Sequence, residues 1–226
     1  MTFHLPAQST QAPITPERDV RSIPFNASVV ATYGAARDLS RLTSFPNLRD
    51  LWLSGLPEKH VPLISSLGQL SSLVVHDLRC TSLLPFAGLG RLERLVICGT
   101  SRLQSLEGLG SLVRLRELLL VLVTGIRDLE PLTSAPPITT LCIEGGFSKA
   151  LRLPTLGPLA AVSTLTRLRL ASLRVADGSL RPLHRLSALR DLFIADVFSP
   201  QEFRALAHAL PNASGEWLDS YRHTAV

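Results

Sequence analysis

The side chains best suited to chemistry are scattered. Six histidines (His4, His60, His76, His184, His208 and His223) and three cysteines (Cys80, Cys98 and Cys142) share no motif. No His-x-x-x-His or Cys-x-x-Cys pair is present, the spacings that bring two metal ligands onto one face or turn. Gly88-Leu89-Gly90 and Gly108-Leu109-Gly110 hint at phosphate-cradling loops, but neither completes a dinucleotide-binding or Walker pattern. Nor is there a Gly-x-Ser-x-Gly elbow to hold a nucleophile. The chain is therefore expected not to be an enzyme and to need no metal or cofactor. The odd, widely spaced cysteines make no disulfide framework and fit a reducing compartment.

The elements that carry these residues repeat. A strand-like unit with apolar residues at its first, fourth and sixth positions recurs as Leu48-Leu51-Leu53, Leu70-Leu73-Val75, Leu92-Leu95-Ile97 and Leu115-Leu118-Leu120. It continues as Ile138-Leu141-Ile143, Leu165-Leu168-Leu170 and Leu189-Leu192-Ile194. The starts are 22, 22, 23, 23, 27 and 24 residues apart. An eighth, degenerate unit precedes them, read with Val29 and Ala31 at the fourth and sixth positions. Between strands the apolar period changes from two to three, as in Leu103, Leu106, Leu109 and Leu112. Period three belongs to a 3₁₀ turn or an extended three-fold helix. One unit cannot bury its own leucines, whereas a stack of units buries a continuous core.

The Leu-x-x-Leu-x-Leu unit followed by Leu-x-x-Leu steps, in repeats of about 22 residues, resembles the leucine-rich-repeat family. It is similar to the short-repeat class that includes internalins and phosphatase-regulator repeat proteins. The resemblance runs from Asn26 to Leu210. It implies an α/β solenoid with a curved parallel sheet on the concave face, 3₁₀ or extended turns on the convex face, and a protein-binding role. One departure is clear. The family commonly has Asn at the ninth position, where it bonds the turn backbone. Here that position is read as Leu56, Leu78, Thr100, Val123, Gly146, Leu173 and Val197.

Alternation turns the fourth and sixth residues of each strand inward and the third, fifth and seventh outward. The fifth column reads Val30, Trp52, Val74, Val96, Leu119, Cys142, Arg169 and Phe193. It is expected to form an exposed, mostly apolar stripe, the kind of surface that marks a partner site. His76 and Glu144 flank it at the seventh position. The expected partner-binding residues are thus Trp52, Val74, His76, Val96, Leu119, Glu144, Arg169 and Phe193. The third column reads Ser28, Asp50, Ser72, Arg94, Glu117, Thr140, Arg167 and Asp191. Arg94 is expected to pair with Glu117, and Arg167 with Asp191. Mixed signs suit a protein partner better than nucleic acid, which favours a single-sign row. Binding of nucleic acid or another acidic ligand through surface arginines is the alternative, since the net charge is +5.

Residues 1–25 are expected to be extended or partly disordered, residues 26–198 to form the solenoid, and residues 199–226 a helical cap and tail. Ser199-Pro200-Gln201-Glu202 is a capping box with proline at the first helical position, and Phe203, Leu206 and Leu210 mark one helical face. Trp217, Leu218 and Tyr221 are expected to add to this cap. The repeat that starts at Ile138 carries extra residues within Gly145–Ala150, a loop of a kind often found at a binding side. Residues 1–19 lack a basic start followed by an apolar run, and no apolar run is long enough to span a bilayer. A cytoplasmic location is expected. The arginine-heavy, lysine-poor usage, with Lys59 and Lys149 the only lysines, suggests a bacterial gene.

Overall fold

The seven clear units each fold as one short strand, and the strands stack in chain order. A computed structural model describes residues 14–223. The strands are β1 (Glu17–Asp19), β2 (Val29–Arg37), β3 (Asp50–Leu56), β4 (Ser72–Leu78), β5 (Arg94–Thr100), β6 (Glu117–Val123), β7 (Thr140–Glu144), β8 (Leu151–Leu153), β9 (Arg167–Ala171), β10 (Leu173–Val175) and β11 (Asp191–Ile194). Nine of them form one parallel sheet in the order β1-β2-β3-β4-β5-β6-β7-β9-β11, while β8 and β10 form a separate parallel pair. No strand of the large sheet is inserted out of turn, as a solenoid requires.

Register follows the leucines. Leu51 pairs with Leu73, Leu73 with Leu95, Leu95 with Leu118, Leu118 with Leu141, Leu141 with Leu168, and Leu168 with Leu192. These fourth-position residues, with their sixth-position partners, are buried in one continuous aliphatic core. The first unit differs from its expected phase by one residue. Val30, not Val29, pairs with Leu51, and Ala31 pairs with Trp52. Val30 therefore lies in the core, and Ala31 replaces it in the outward column. Thr32 takes the sixth position, buried, with its Oγ1 donating to the Glu17 carbonyl at 2.7 Å. A polar residue at that position disguised the phase, and a one-residue slip exchanges the faces of a strand.

The returns are tight, as their period of three requires. They are 3₁₀ segments at Leu39–Ser44, Leu84–Phe86, Leu109–Ser111, Glu130–Ser134, Gly157–Ala161 and Arg181–Arg185, with one short helix, α1 (Val61–Ser65). Pro62, Pro85, Pro131, Pro158 and Pro182 sit in the first turn of their returns, where a missing N–H costs nothing. Each return sends at least one side chain inward, such as Ile64, Phe86 and Leu132.

The sheet is extended at both ends. β1 pairs with β2 although it falls within residues 1–25; the first thirteen of those lie outside the described residues. At the other end, Ser214 continues the ladder beyond β11: its N–H donates to the Arg190 carbonyl at 2.7 Å, and its carbonyl accepts from Leu192 N–H at 2.8 Å. Helices α2 (Pro200–Ala209) and α3 (Glu216–His223) close this end. Phe203, Leu206, Leu210 and Leu218 are buried, and Trp217 and Tyr221 pack against the same core. The Phe203 and Tyr221 rings stack with centroids 5.1 Å apart.

Candidate functional site

The outward column is continuous in register. Ala31, Trp52, Val74, Val96, Leu119, Cys142, Arg169 and Phe193 stand on successive strands, each beside the next. Its exposure is not what alternation alone implies. Val74, Val96 and Cys142 are 0% exposed and Leu119 3%. Together with Cys98 and Val121 of the seventh column they form a second, smaller apolar cluster, with Trp52 and Leu122 packed at its margin. The expectation of an open apolar stripe is thus corrected. Strands about 4.8 Å apart bring side chains of two neighbouring columns into mutual contact. The middle of the face is a platform, and Val74, Val96 and Leu119 lie within it.

The accessible groups lie around that platform. Trp52 is half-buried, and the Arg94 guanidinium lies 5.9 Å from its ring centroid. Arg94 Nε is 3.4 Å from a Glu117 carboxylate oxygen, as expected. Arg167 departs from expectation. It does not turn to Asp191, its partner in register, but reaches back to the Glu117 carboxylate at 3.4 Å, with its Nε donating to Thr140 Oγ1 at 3.1 Å. Glu117 therefore lies between two cations. At the far end, Arg169 Nε donates to Glu144 at 3.2 Å while its guanidinium sits 4.0 Å from the Phe193 ring centroid. Both partners of this pair are mostly buried, so each holds the other in place. His76 is half-buried on β4 and pairs in register with Cys98.

Burial also sets the electrostatics. It pushes the Cys142 thiol up to about 12, and it raises Cys98 and Cys80 in the same way. All three thiols are free. A thiol held protonated is a poor nucleophile and a poor metal ligand. Burial raises the Asp50 carboxyl and lowers the Arg94 guanidinium, and the attraction between the two opposes both shifts. Among the described residues no group of three His, Cys, Asp or Glu side chains could hold a metal ion, and no helix is long and apolar enough to cross a membrane.

The turn that lacks the usual Asn is built in two parts. The eighth residue of the repeat is left-handed: Gly55, Asp77, Gly99, Leu122 and Ser172 have φ of 76°, 49°, 67°, 55° and 48°. The ninth residue (Leu56, Leu78, Val123 or Leu173) then drops into the core. Thr100 alone does what the Asn would do, donating to the Leu78 carbonyl at 2.7 Å and accepting from Arg102 N–H at 3.0 Å. In the long repeat Leu151, not Gly146, fills this place, since Leu151 pairs with Leu173. In the last repeat Phe198 is buried and Val197 exposed.

No family model matches the chain, and no curated protein matches it. Solved structures do. An LRR protein of Leptospira interrogans matches at 16% identity over 87% of this chain and 51% of its own, with a TM-score of 0.60. An internalin (inlF) of Listeria monocytogenes matches at 20% identity over 79% of this chain and 58% of its own, with a TM-score of 0.54. An internalin C2 of the same organism is 27% identical over 67% of this chain and 63% of its own, at a TM-score of 0.49. This chain thus spans between half and two thirds of the length of these proteins. Sheet, returns and likeness define a parallel-sheet solenoid of short repeats. The chain has the leucine-rich-repeat fold.

Proposed function

We propose that this chain is a protein-interaction scaffold that binds a partner protein on its concave face, without catalysis. One observation carries the reading. Two aromatic rings, Trp52 and Phe193, stand at opposite ends of one column, each beneath an arginine, with Arg94, Glu117 and Arg167 in a paired row between them. The rings are six strands apart, roughly 29 Å at sheet spacing, a span suited to a protein interface. Trp and Arg are the side chains that most often dominate such interfaces. Trp52, His76, Glu144, Arg169 and Phe193 make the contacts, while Val74, Val96 and Leu119 hold the platform under them. A nucleic acid would meet Glu117 and Glu144 on the same face, so it is the weaker fit.

The setting that suits this reading is the cytoplasm of a bacterium: three buried free thiols fit a reducing compartment, and the Arg-heavy coding bias fits a GC-rich genome. Affinity capture with the chain, followed by titration of the recovered partner against wild type, Trp52→Ala and Arg169→Ala, tests the proposal. Both variants should weaken binding while still folding, with Arg169→Ala melting at a lower temperature because it leaves the mostly buried Glu144 carboxylate unpaired.

A further inference from the structure

The long repeat builds a second surface, away from the concave column. Its extra residues form a closed excursion between Glu144, the end of β7, and Leu151, the start of β8. Gly145 N–H donates to the Ala171 carbonyl at 3.0 Å and Leu151 N–H to the Ser172 carbonyl at 2.9 Å, so the chain leaves and returns at adjacent residues of the next repeat. Gly146 N–H donates to the Lys149 carbonyl at 2.9 Å and closes the loop. Gly145 is required at the point of departure: a Cβ there would lie 2.1 Å from the Ser172 carbonyl oxygen. The solenoid therefore keeps its register on either side, and the loop is free to present side chains.

What it presents is unusual for a surface loop. Phe147 stands at its tip, 91% exposed. Behind it is a cleft of about 360 Å³ whose lining includes Ser148, Lys149, Arg152, Ser172 and Arg174 and no carboxylate. Arg152 and Arg174 are register partners on β8 and β10, so they stand side by side on one face. Like charges directly across a strand pair destabilise it. None of these three cations has an ion-pair partner among the described residues. The cleft thus holds concentrated positive charge, hydroxyl donors at Ser148 and Ser172, and an exposed aromatic ring at its rim.

We propose that this cleft binds an acidic peptide segment of a protein, its carboxylates on Lys149, Arg152 and Arg174 and a neighbouring apolar side chain against Phe147. Guanidinium forks donate paired hydrogen bonds to carboxylates, and the ring supplies the apolar contact that a bare anion site lacks. A long polyanion fits less well. Asp177 and Asp196 are exposed in the turns that follow β10 and β11 and add negative charge to this side of the chain. None of the residues that line the cleft belongs to the concave columns, so either site can fail without the other.

The test uses the full chain and a fluorescein-labelled peptide, Glu-Glu-Leu-Glu-Glu, read by anisotropy at low salt. The same peptide with Gln for every Glu is the charge control, and a labelled single-stranded DNA of equal charge is the competitor class. The acidic peptide should bind and the Gln peptide should not. Arg152→Glu with Arg174→Glu should weaken binding at least tenfold, and Phe147→Ser about threefold. Trp52→Ala on the concave face should leave it unchanged. All substituted residues except Trp52 are exposed, and a thermal melt of each variant verifies folding. No binding by the folded wild type, unchanged binding by the folded double variant, or tighter binding of the single-stranded DNA than of the peptide would overturn the proposal.

Discussion

In five repeats a left-handed eighth residue decides how the chain leaves the sheet. Its left-handed backbone is costly for a residue with a Cβ, and four different residue types hold it across five repeats, which is why no motif marks it. Gly99 and Gly90 separate conformation from space. A Cβ at either would meet no atom within 4 Å, but only Gly99 has positive φ. Gly99→Ala should lower stability by about 1 kcal/mol, while Gly90→Ala should be neutral or slightly stabilising, both read by denaturant unfolding. Equal effects would remove the conformational argument. The partner of Arg167 was beyond reach of sequence for a related reason. A long, flexible side chain can choose among carboxylates two strands apart, and only coordinates show that Glu117 is chosen over Asp191.

At the scale of elements, the strands were legible because Leu at the fourth and sixth positions has no other use in so short a repeat. The returns were legible from their period of three. The first unit was not, because Thr32 occupies a core position and makes its own bond to β1. The burial of the outward column was not legible either: alternation tells which way a side chain points, not what stacks beside it. Leu118 and Leu119 test this. They lie in the two different clusters, and both are almost fully buried. Leu118→Ala should cost roughly 2–5 kcal/mol, and Leu119→Ala at least about 2 kcal/mol. A Leu119 loss under about 1 kcal/mol would mean that the concave face is open to solvent.

The cap shows the same limit. Ser199 Oγ accepts from Glu202 N–H at 3.3 Å, as the capping pattern requires, yet the Glu202 carboxylate does not return the bond. It accepts instead from Leu180 N–H and Ser179 Oγ, fastening α2 to the return before β11. Glu202→Ala should therefore cost more than an ordinary cap, about 1.5–3 kcal/mol, since it strips a charged partner from a half-buried backbone donor. A loss below about 0.5 kcal/mol in a denaturant melt would show that the tie carries no weight.

At the scale of the whole molecule, the solenoid sets two aromatic–cation pairs far apart on one rigid face and fills the space between with a buried platform. That rigidity comes from the continuous core, because each repeat packs only on its neighbours and none can turn independently. The fold was plain in the repeat spacing. The site was legible only in part, since Trp52, Arg169 and Phe193 were marked by their column whereas the burial of Val74 and Val96 depends on neighbours two columns wide. The most direct test is an isothermal titration of the affinity-captured partner against wild type, Trp52→Ala and a control in the returns, Arg185→Ala. Trp52→Ala should lose about 2 kcal/mol of binding, the size of a hot-spot truncation, while still melting cooperatively as a folded chain, and Arg185→Ala should bind as wild type does. Wild-type affinity in Trp52→Ala together with a loss in Arg185→Ala would place the partner on the returns and contradict the account.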